Sequence, residues 1–391
     1  MSAQYKLTIA GMPSLQKGIH LATVRHNSVD LVFTKDGEIV RQANLAADRT
    51  SLYRTLEATK AKIGLICQRL GIDEQQLDYD RSDLSKLSKI GYKLLFLKKM
   101  LFEAFIPIQW VIVYKRKNED KWHKIIPDSK VFQADTFAVF KDDKTYIFYE
   151  ELKFEDYHGY LMVGELDIEN NQLINEKVIL KLEHHLSFPN VFKEGATYYM
   201  IPECAESNSV DLYECTDFPY QWKHKKTLLE NTSAVDTTPL KTEDGWYLFT
   251  SEIVKGADCN DELSIYKSSD LLNEPFTKLY DEPVITDVTN ARMAGHFIQR
   301  DGELFRVSQN CGKRYGHQAN INKVLQIEGA YKEELVETIK PDFGALGFHT
   351  YNYTLNKEQD IIVGDMEIAR FDFYSLKRFV WGNIKKQVFK K

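Results

Sequence analysis

A unit of about 50 residues recurs along most of the chain, and a repeat of that length restricts the fold more strongly than any other feature of the sequence. Each copy contains a turn signal, an apolar strand and a closing polar or acidic residue, and another short strand precedes it. The period is typical of propeller blades, so we predict a mainly β fold, a five-bladed β-propeller. A β-sandwich is the alternative, and the regular period disfavours it. The closing residues of the copies are Glu150, Glu203, Glu252, Gln309 and Asp365.

The two ends of the repeat region predict how the ring closes. The fifth copy has only two strands, whereas Trp110–Ile125 contains two more strands ahead of the first copy. If these strands join the fifth copy, the exposed sheet edges at both ends of the region disappear. We therefore divide the chain into a small N-terminal accessory α/β segment (1–108), the propeller (109–370) and a basic amphipathic tail (371–391).

Composition excludes several classes of protein. Hydrophobic residues make up 43% of the chain, enough for a sizeable core, and the net charge of −6 argues against nucleic acid as a partner. The five cysteines have neither metal-ligand nor redox spacing, which predicts reduced thiols, no metal and no other cofactor. Because the N-terminus lacks the apolar core of a signal peptide and no apolar run has the length of a membrane span, we expect a cytoplasmic protein.

Apolar spacing also predicts two helices in the accessory segment, one over 51–70 that stops at Gly71 and a basic amphipathic one over 90–105. Basic and aromatic residues combine in the stretches 92–105 and 373–391, so each could lie on the anionic inner face of a membrane. Alternatively, their apolar faces pack on the propeller while the lysines face water. We favour packing for the first stretch and neither interpretation for the second.

The candidate site follows from hairpin geometry, in which the start of one strand and the end of the next share one end of the sheet. The candidate catalytic residues are Asp135, Glu203 and Asp236. Acetal chemistry needs one carboxylate and one carboxylic acid, and neighbouring carboxylates supply the acid because they raise the pKa of one of their number. The alternative is that such acids cap backbone amides at turns between blades. The candidate substrate-binding residues are His185, Ser187, Asn190, Glu150, Glu252, Arg292, His296, Gln309, Arg314, Tyr315 and His349.

The repeat motifs resemble a known family. The runs ADTFAVF, YIFYEE, HHLSFPNVF, YYMIPE, AVDTTPL and GWYLF, followed by ARMAGHFI, LFRVSQNCGKRYGHQANINKV and GFHTYNYT, are similar to the N-terminal propeller domain of plant glucosamine inositolphosphorylceramide transferase and its bacterial relatives. The resemblance spans residues 109–365. More distantly, the layout is similar to the five-bladed furanosidase clan of arabinanases and invertases, in which three acids around the axis act as base or nucleophile, orienting acid and proton donor.

The resemblance implies roles for the three acids. Asp135 matches the first-blade acid of the clan, Glu203 in the run PEC is similar to the proton donor of the invertase-like branch, and Asp236 matches a further acid. The second-blade acid has no evident counterpart, because Ser187 and Asn190 stand at that place. In the plant proteins the recognised transferase fold is a separate C-terminal domain, and we expect no counterpart of it here.

Three functional expectations result. The first is a glycosyltransferase, with furanosyl transfer as one form, that joins a nucleotide- or phosphate-activated sugar donor to a glycan acceptor during assembly of bacterial surface polysaccharides. Arg292 and Arg314 would hold the donor phosphate. The second is an intracellular glycoside hydrolase of the furanosidase type. The third is a non-catalytic glycan-binding module that partners a glycosyltransferase.

Overall fold

The computed structural model describes residues 4–25, 27–48, 51–104, 107–354 and 361–375. Most of the tail predicted for 371–391 therefore lies outside the described residues. Within the described part, helices are few and none combines the length and apolarity that crossing a bilayer requires. Strands dominate the fold, as the repeat predicted.

An α/β unit precedes the propeller. Its three strands form an antiparallel sheet in which they lie side by side in chain order. Side chains from this sheet and from the second helix, among them Phe33 and Ile63, are fully buried together. The second helix begins after Ser51, whose hydroxyl accepts the Arg54 N–H, and ends at Gly71 in the left-handed conformation (φ 64°), as predicted. The elements are β1 (Tyr5–Ile9), α1 (Leu15–Arg25), β2 (Ser28–Lys35), β3 (Glu38–Ala46), α2 (Leu52–Leu70) and α3 (Lys86–Ala104).

Buried ion pairs attach this unit to the propeller. Lys62 on α2 is 1% exposed, and its Nζ lies 2.7 Å from Asp261 Oδ1 and 3.1 Å from Glu262 Oε2. Arg69 adds a second contact to Glu262 at 2.5 Å. Burying these carboxylates is tolerable only because cations accompany them, so the accessory unit and the propeller stabilise each other.

The propeller consists of antiparallel sheets, and in the first three blades the innermost strand comes first in the chain. The inner strands of the first three blades are buried along most of their length, whereas the fourth strands of the first two are mostly exposed. Blade one contains β6 (Val131–Lys141), β7 (Lys144–Lys153), β8 (His158–Asp167) and β9 (Gln172–Leu180). Blade two contains β10 (Ser187–Glu194), β11 (Thr197–Glu203), β12 (Ser209–Asp217) and β13 (Gln221–Glu230).

The third and fourth blades continue the same meander. In blade three a fifth, short strand (Ile285–Thr286) also pairs with the third strand, outside the regular strand order. Blade three contains β14 (Ala234–Thr242), β15 (Gly245–Glu252), β16 (Glu262–Ser268), β17 (Thr277–Lys278) and β18 (Ile285–Thr286). Blade four contains β19 (Ile298–Arg300), β20 (Glu303–Asn310), β21 (Gln318–Gln326) and β22 (Lys332–Ile339).

The fifth blade joins both ends of the propeller, which confirms the predicted closure. It consists of β23 (Gly347–Tyr353), β24 (Ile361–Ala369), β4 (Ile108–Arg116) and β5 (His123–Ile125), in that order. Every residue of β24 has a partner on β4. Blade five then contacts blade one directly, because Asn352 Nδ2 donates to the Thr136 carbonyl at 2.8 Å. The molecule is a five-bladed β-propeller with an N-terminal α/β extension.

One irregularity repeats on the inner strands and positions the site. The pairing register shifts at the same place in blades one, two, three and five. Three residues in these bulges have positive φ: Asp135 (57°), Phe188 (44°) and Asp236 (52°). A bulge turns a side chain out of the regular alternation, and here it places two carboxylates at equivalent positions of blades one and three.

Candidate functional site

Asp135, His349 and Asp365 form the first polar centre, where blades one and five meet. Asp135 Oδ2 accepts the Phe188 N–H at 3.1 Å, while the Asp135 N–H donates to Asp365 Oδ2 at 2.5 Å. His349 Nδ1 lies 3.1 Å from Asp135 Oδ1 and 3.3 Å from Asp365 Oδ2. All three side chains are buried, so their charges interact in a medium of low polarity.

The charge of this centre is set by competition between burial and neighbouring carboxylates. Burial alone would lower the pKa of His349, but Asp365 and Asp135 together raise it well above its ordinary value. The raised pKa favours the imidazolium form, in which the Nε2–H donates to the Tyr315 hydroxyl at 2.5 Å. The same three side chains could hold a metal ion, since their ligand atoms lie within 4.8 Å of one another. A metal would have to displace the proton on Nδ1.

Asp236, Arg292 and Glu203 form the second centre. Arg292 holds Asp236 with two nitrogens, at 2.5 Å from Nε and 3.2 Å from Nη2, and Gln309 Nε2 donates to Asp236 Oδ2 at 2.7 Å. Arg292 Nη2 also lies 3.4 Å from Glu203 Oε2, and Nη1 donates to Asn260 Oδ1 at 3.0 Å. Each nitrogen of the Arg292 guanidinium is therefore engaged within the protein.

Glu203 is the carboxyl group of the second centre whose pKa is raised. Burial, and then the neighbouring Asp236 carboxylate, raise the pKa of Glu203 well above its ordinary value, although Arg292 opposes them. The Asp236 N–H donates to Glu203 Oε2 at 3.1 Å, which fixes the carboxyl group beside the bulge. A carboxyl group held in this way is suited to donate a proton at neutral pH.

Glu150 and His185 form a third pair near the first centre. His185 Nε2 lies 3.0 Å from Glu150 Oε1, and the Gly159 N–H donates to His185 Nδ1 at 3.0 Å, which places the neutral ring's proton on Nε2. Burial raises the pKa of Glu150 to about 7, with the Asp135 charge adding to the effect. The hydrogen bond to Glu150 raises the pKa of His185.

Tyr315 links the two main centres and Trp110 covers their edge. The Arg292 guanidinium lies 5.2 Å from the centre of the Tyr315 ring, opposite the hydroxyl contact to His349. The Trp110 ring lies 5.1 Å from the His349 ring and 6.4 Å from the Tyr315 ring. Gly316 makes this possible, since a Cβ there would approach Trp110 to 2.8 Å. Together the rings form an aromatic wall of the kind on which sugar rings stack.

Three of the remaining candidates lie close to the inner strands. Ser187 pairs with Glu203 in the register of β10 and β11. Asn190 is fully buried and donates to Thr238 Oγ1 at 3.3 Å, a contact between blades two and three. The His296 ring lies 4.8 Å from the Phe137 ring, and burial lowers the pKa of His296 to about 4. Asn190 and His296 therefore pack between blades.

Two other candidates face elsewhere. Glu252 Oε1 lies 2.8 Å from Lys278 Nζ, so its carboxylate turns toward the outer strands of blade three. Arg314 forms an ion pair with Glu367 on β24. The structure therefore gathers Asp135, Glu203, Asp236, Arg292, Gln309, Tyr315 and His349, with Glu150 and His185 beside them, and leaves Glu252 outside.

Sequence reasoning left Asp365, Trp110 and Asn260 out of the candidate site. A signal existed for Asp365, because it closes the fifth copy at the repeat position where Glu203 closes the second. Trp110 becomes a neighbour of His349 only through the pairing of β4 with β24, and Asn260 lies in a loop for which the repeat makes no prediction.

The fold and this cluster define the class: a five-bladed propeller with buried carboxylates, an imidazolium and a guanidinium around its axis. The family model described as Glucosamine inositolphosphorylceramide transferase 1, N-terminal, matches residues 124–347, and the chain belongs to this family. The resemblance inferred from the motifs is thereby confirmed.

Curated relatives match the same region. The chain is 32% identical over 217 residues to Glucosamine inositolphosphorylceramide transferase 1 of Arabidopsis thaliana, and 29% identical over 209 residues to the protein of that name from Oryza sativa subsp. japonica. These matches cover 54% and 53% of this chain but only 27% of each relative. The chain thus spans far less than the full length of the relatives it matches.

Solved structures with a similar outline are glycoside hydrolases. The catalytic domain of the Coprinopsis cinerea GH62 α-L-arabinofuranosidase is 14% identical with a TM-score of 0.46, covering 60% of this chain and 83% of that one. The GH43_1 enzyme of Xanthomonas citri is 11% identical with a TM-score of 0.44, covering 61% and 88%. The propeller assignment itself rests on the strand pairing described above.

Proposed function

We propose that the protein is a carbohydrate-active enzyme that transfers a glycosyl group from an activated sugar donor to a glycan acceptor. The observation that carries the proposal is the pair of buried carboxyl centres with different partners: Asp135 lies beside His349, and Glu203, whose pKa burial raises well above its ordinary value, lies beside Arg292. Acetal chemistry needs two carboxyl groups, one that acts as base or nucleophile and one that donates a proton. Membership in a family named for a glycosyl transferase supports the same class of reaction.

Asp135 is the proposed base or nucleophile. Its Oδ2 accepts a backbone N–H, whereas its Oδ1, in contact with His349, has no aligned hydrogen-bond donor among the described residues. Oδ1 therefore keeps lone pairs available to take the proton of an acceptor hydroxyl or to attack an anomeric carbon.

Glu203 is the proposed proton donor to the leaving oxygen, because its raised pKa keeps the proton available at neutral pH. Asp236 and Arg292 position it, through the Asp236 N–H and the guanidinium. The expectation that Arg292 binds a donor phosphate is weakened, because its nitrogens already donate hydrogen bonds to Asp236 and Asn260. Tyr315 and Trp110 supply the stacking wall for the sugar.

The test uses two substitutions with matched controls. Purified Asp135→Asn and Glu203→Gln variants are incubated with a panel of nucleotide- and phosphate-activated sugars and glycan acceptors, and products are identified by mass spectrometry. We expect a loss of about 10²–10⁴-fold in kcat/KM for each. The controls, Asp142→Asn in an exposed turn and Glu206→Gln beside the site strand, should retain wild-type activity. Full activity of Asp135→Asn would refute the assigned role.

A glycoside hydrolase is the second candidate, favoured by the same pair of buried carboxyl centres. It predicts product formation at an unchanged rate when the acceptor is omitted, on furanoside or pyranoside substrates. If glycan binding survives substitution of Asp135, Glu203 and Asp236 together and no turnover is found, the chain is instead a binding module for a partner transferase. We place the reaction in cytoplasmic assembly of a surface polysaccharide, to be tested by glycan analysis of cells that lack the protein.

A further inference from the structure

Helix α3 buries only part of its circumference. Phe96 is buried, and the Tyr92 ring lies 5.0 Å from the ring of His20 on α1. On the opposite side, apolar residues spaced three and four apart form one stripe, as helical geometry requires. The members of this stripe are solvent-exposed: Leu87 (81%), Ile90 (54%), Leu94 (62%) and Leu97 (48%). Within the stretch 92–105, the prediction that the apolar face packs on the propeller is therefore wrong for Leu94 and Leu97.

The charged residues that border this exposed stripe are lysines. The sequence of α3 contains five lysines and one acidic residue, Glu103. By helical spacing, Lys86 and Lys93 lie along one border of the stripe and Lys98 along the other, and all three are exposed. The whole chain is acidic, at −6, so the excess of positive charge on α3 runs against the charge of the chain as a whole.

Further exposed apolar side chains belong to a segment that the backbone places near the C-terminal end of the helix. The Arg370 N–H donates to the Pro107 carbonyl at 2.8 Å, which brings the segment after β24 beside the residues that follow α3. In that segment Phe371 (65%) and Phe373 (84%) are also exposed. Aromatic and aliphatic side chains with flanking lysines are the composition of helices that lie in the plane of a membrane interface.

We propose that this docking surface, formed by Leu87, Ile90, Leu94 and Leu97 of α3 with Phe371 and Phe373, binds an anionic membrane surface. A second copy of the chain is a poorer occupant, because a symmetric contact would bring the lysines of two helices together. An anionic lipid surface satisfies both components, since the side chains insert between headgroups while the lysines pair with the lipid charge.

The location relates this surface to the polar centres. After Pro107 the chain enters β4, where Trp110 lies 5.1 Å from His349. Membrane docking therefore holds the Trp110 edge of the candidate site near the lipid surface, whichever reaction the site performs. The proposal does not depend on that reaction, and its test needs no substrate.

The test is vesicle flotation of the full chain with phosphatidylcholine vesicles alone and with vesicles in which about a third of the lipid is phosphatidylglycerol. We expect binding to the anionic vesicles that weakens as salt rises. Leu94→Gln/Leu97→Gln and, separately, Lys93→Glu/Lys98→Glu should each lower the partition coefficient by about tenfold or more. The matched control is Leu325→Gln/Leu335→Gln, two exposed leucines on the outer strands of blade four, which should bind as the wild type does.

Four results would overturn the proposal. The first is absence of binding to anionic vesicles at low salt, and the second is equal binding by the α3 variants and the control. The third is loss of binding on truncation after Ser375 together with full binding by the α3 variants, which would assign membrane contact to the C-terminal tail. The fourth is a dimer that Leu94→Gln/Leu97→Gln converts to monomer without any vesicle binding, which would assign the surface to a second copy. Circular dichroism and melting of each variant confirm that it folds.

Discussion

Replacing Arg292 by methionine should destabilise the protein in a manner that depends on pH. The substitution keeps much of the side-chain volume but removes the positive charge. That charge compensates the Asp236 carboxylate, which is 1% exposed, and lies 3.4 Å from Glu203 Oε2. Of the side-chain contacts to Asp236, the Gln309 hydrogen bond at 2.7 Å would remain. Removing one partner of a buried ion pair costs about 3–5 kcal/mol, because the other charge stays buried without compensation.

The size of the expected melting shift follows from chain length. An unfolding entropy of roughly 2.1 cal/mol/K per residue amounts to about 0.8 kcal/mol/K for 391 residues. A loss of 3–5 kcal/mol then lowers Tm by about 4–6 °C. As pH falls, the folded variant can relieve the buried charge by protonating it, whereas the unfolded carboxyl group stays ionised down to about pH 4. The folded variant then binds more protons than the unfolded chain, so its deficit relative to wild type grows as pH rises.

The assay is differential scanning fluorimetry of wild type and Arg292→Met at pH 5 and pH 8, with the double variant Arg292→Met/Asp236→Leu as the internal control. Replacing both partners by apolar groups removes the uncompensated charge, so the double variant should recover much of the lost Tm. The reasoning is refuted if Arg292→Met melts within about 1 °C of wild type at pH 8. It is also refuted if the double variant melts below the single variant at both pH values.

Three further outcomes are expected. Lys62→Met leaves the Asp261 and Glu262 carboxylates buried with less positive charge beside them, so it should lower the free energy of unfolding by about 3–5 kcal/mol and make the accessory unit sensitive to limited proteolysis. The control, Lys60→Met on the exposed side of α2, should change neither stability nor proteolysis. Glu150→Gln should raise Tm relative to wild type more at pH 8 than at pH 5. Burial raises the pKa of Glu150 from 4.5 to about 7, so the folded wild type loses stability as pH rises through this range and the buried carboxyl group must ionise. An equal difference in Tm at both pH values would contradict the raised pKa. Gly316→Ala should lower Tm by a few degrees and weaken sugar binding, since φ is +57° and the added Cβ would meet Trp110, whereas Gly302→Ala tests positive φ alone, with no atom within 4 Å.

The sequence by itself determined the architecture of the propeller. Five copies of one strand pattern cannot bury their apolar faces separately, so stacking around an axis follows from the period and from the alternation within each strand. Closure by Trp110–Ile125 was also predictable, because the fifth copy lacked two strands and the N-terminal region held two. The carboxylates at repeat positions were visible in the sequence for the same reason.

Tertiary structure alone decided which of those carboxylates belong together. Glu203 and Glu252 close equivalent strands, yet Glu203 meets Arg292 and Asp236, whereas Glu252 turns to Lys278. The difference depends on cations supplied by other parts of the chain, and the period of one strand carries no information about them. The bulges that give Asp135 and Asp236 positive φ likewise depend on pairing register. The prediction that the apolar face of α3 is covered failed for a similar reason. Amphipathic spacing shows that a helix has two faces, and only its neighbours in space show which face is covered.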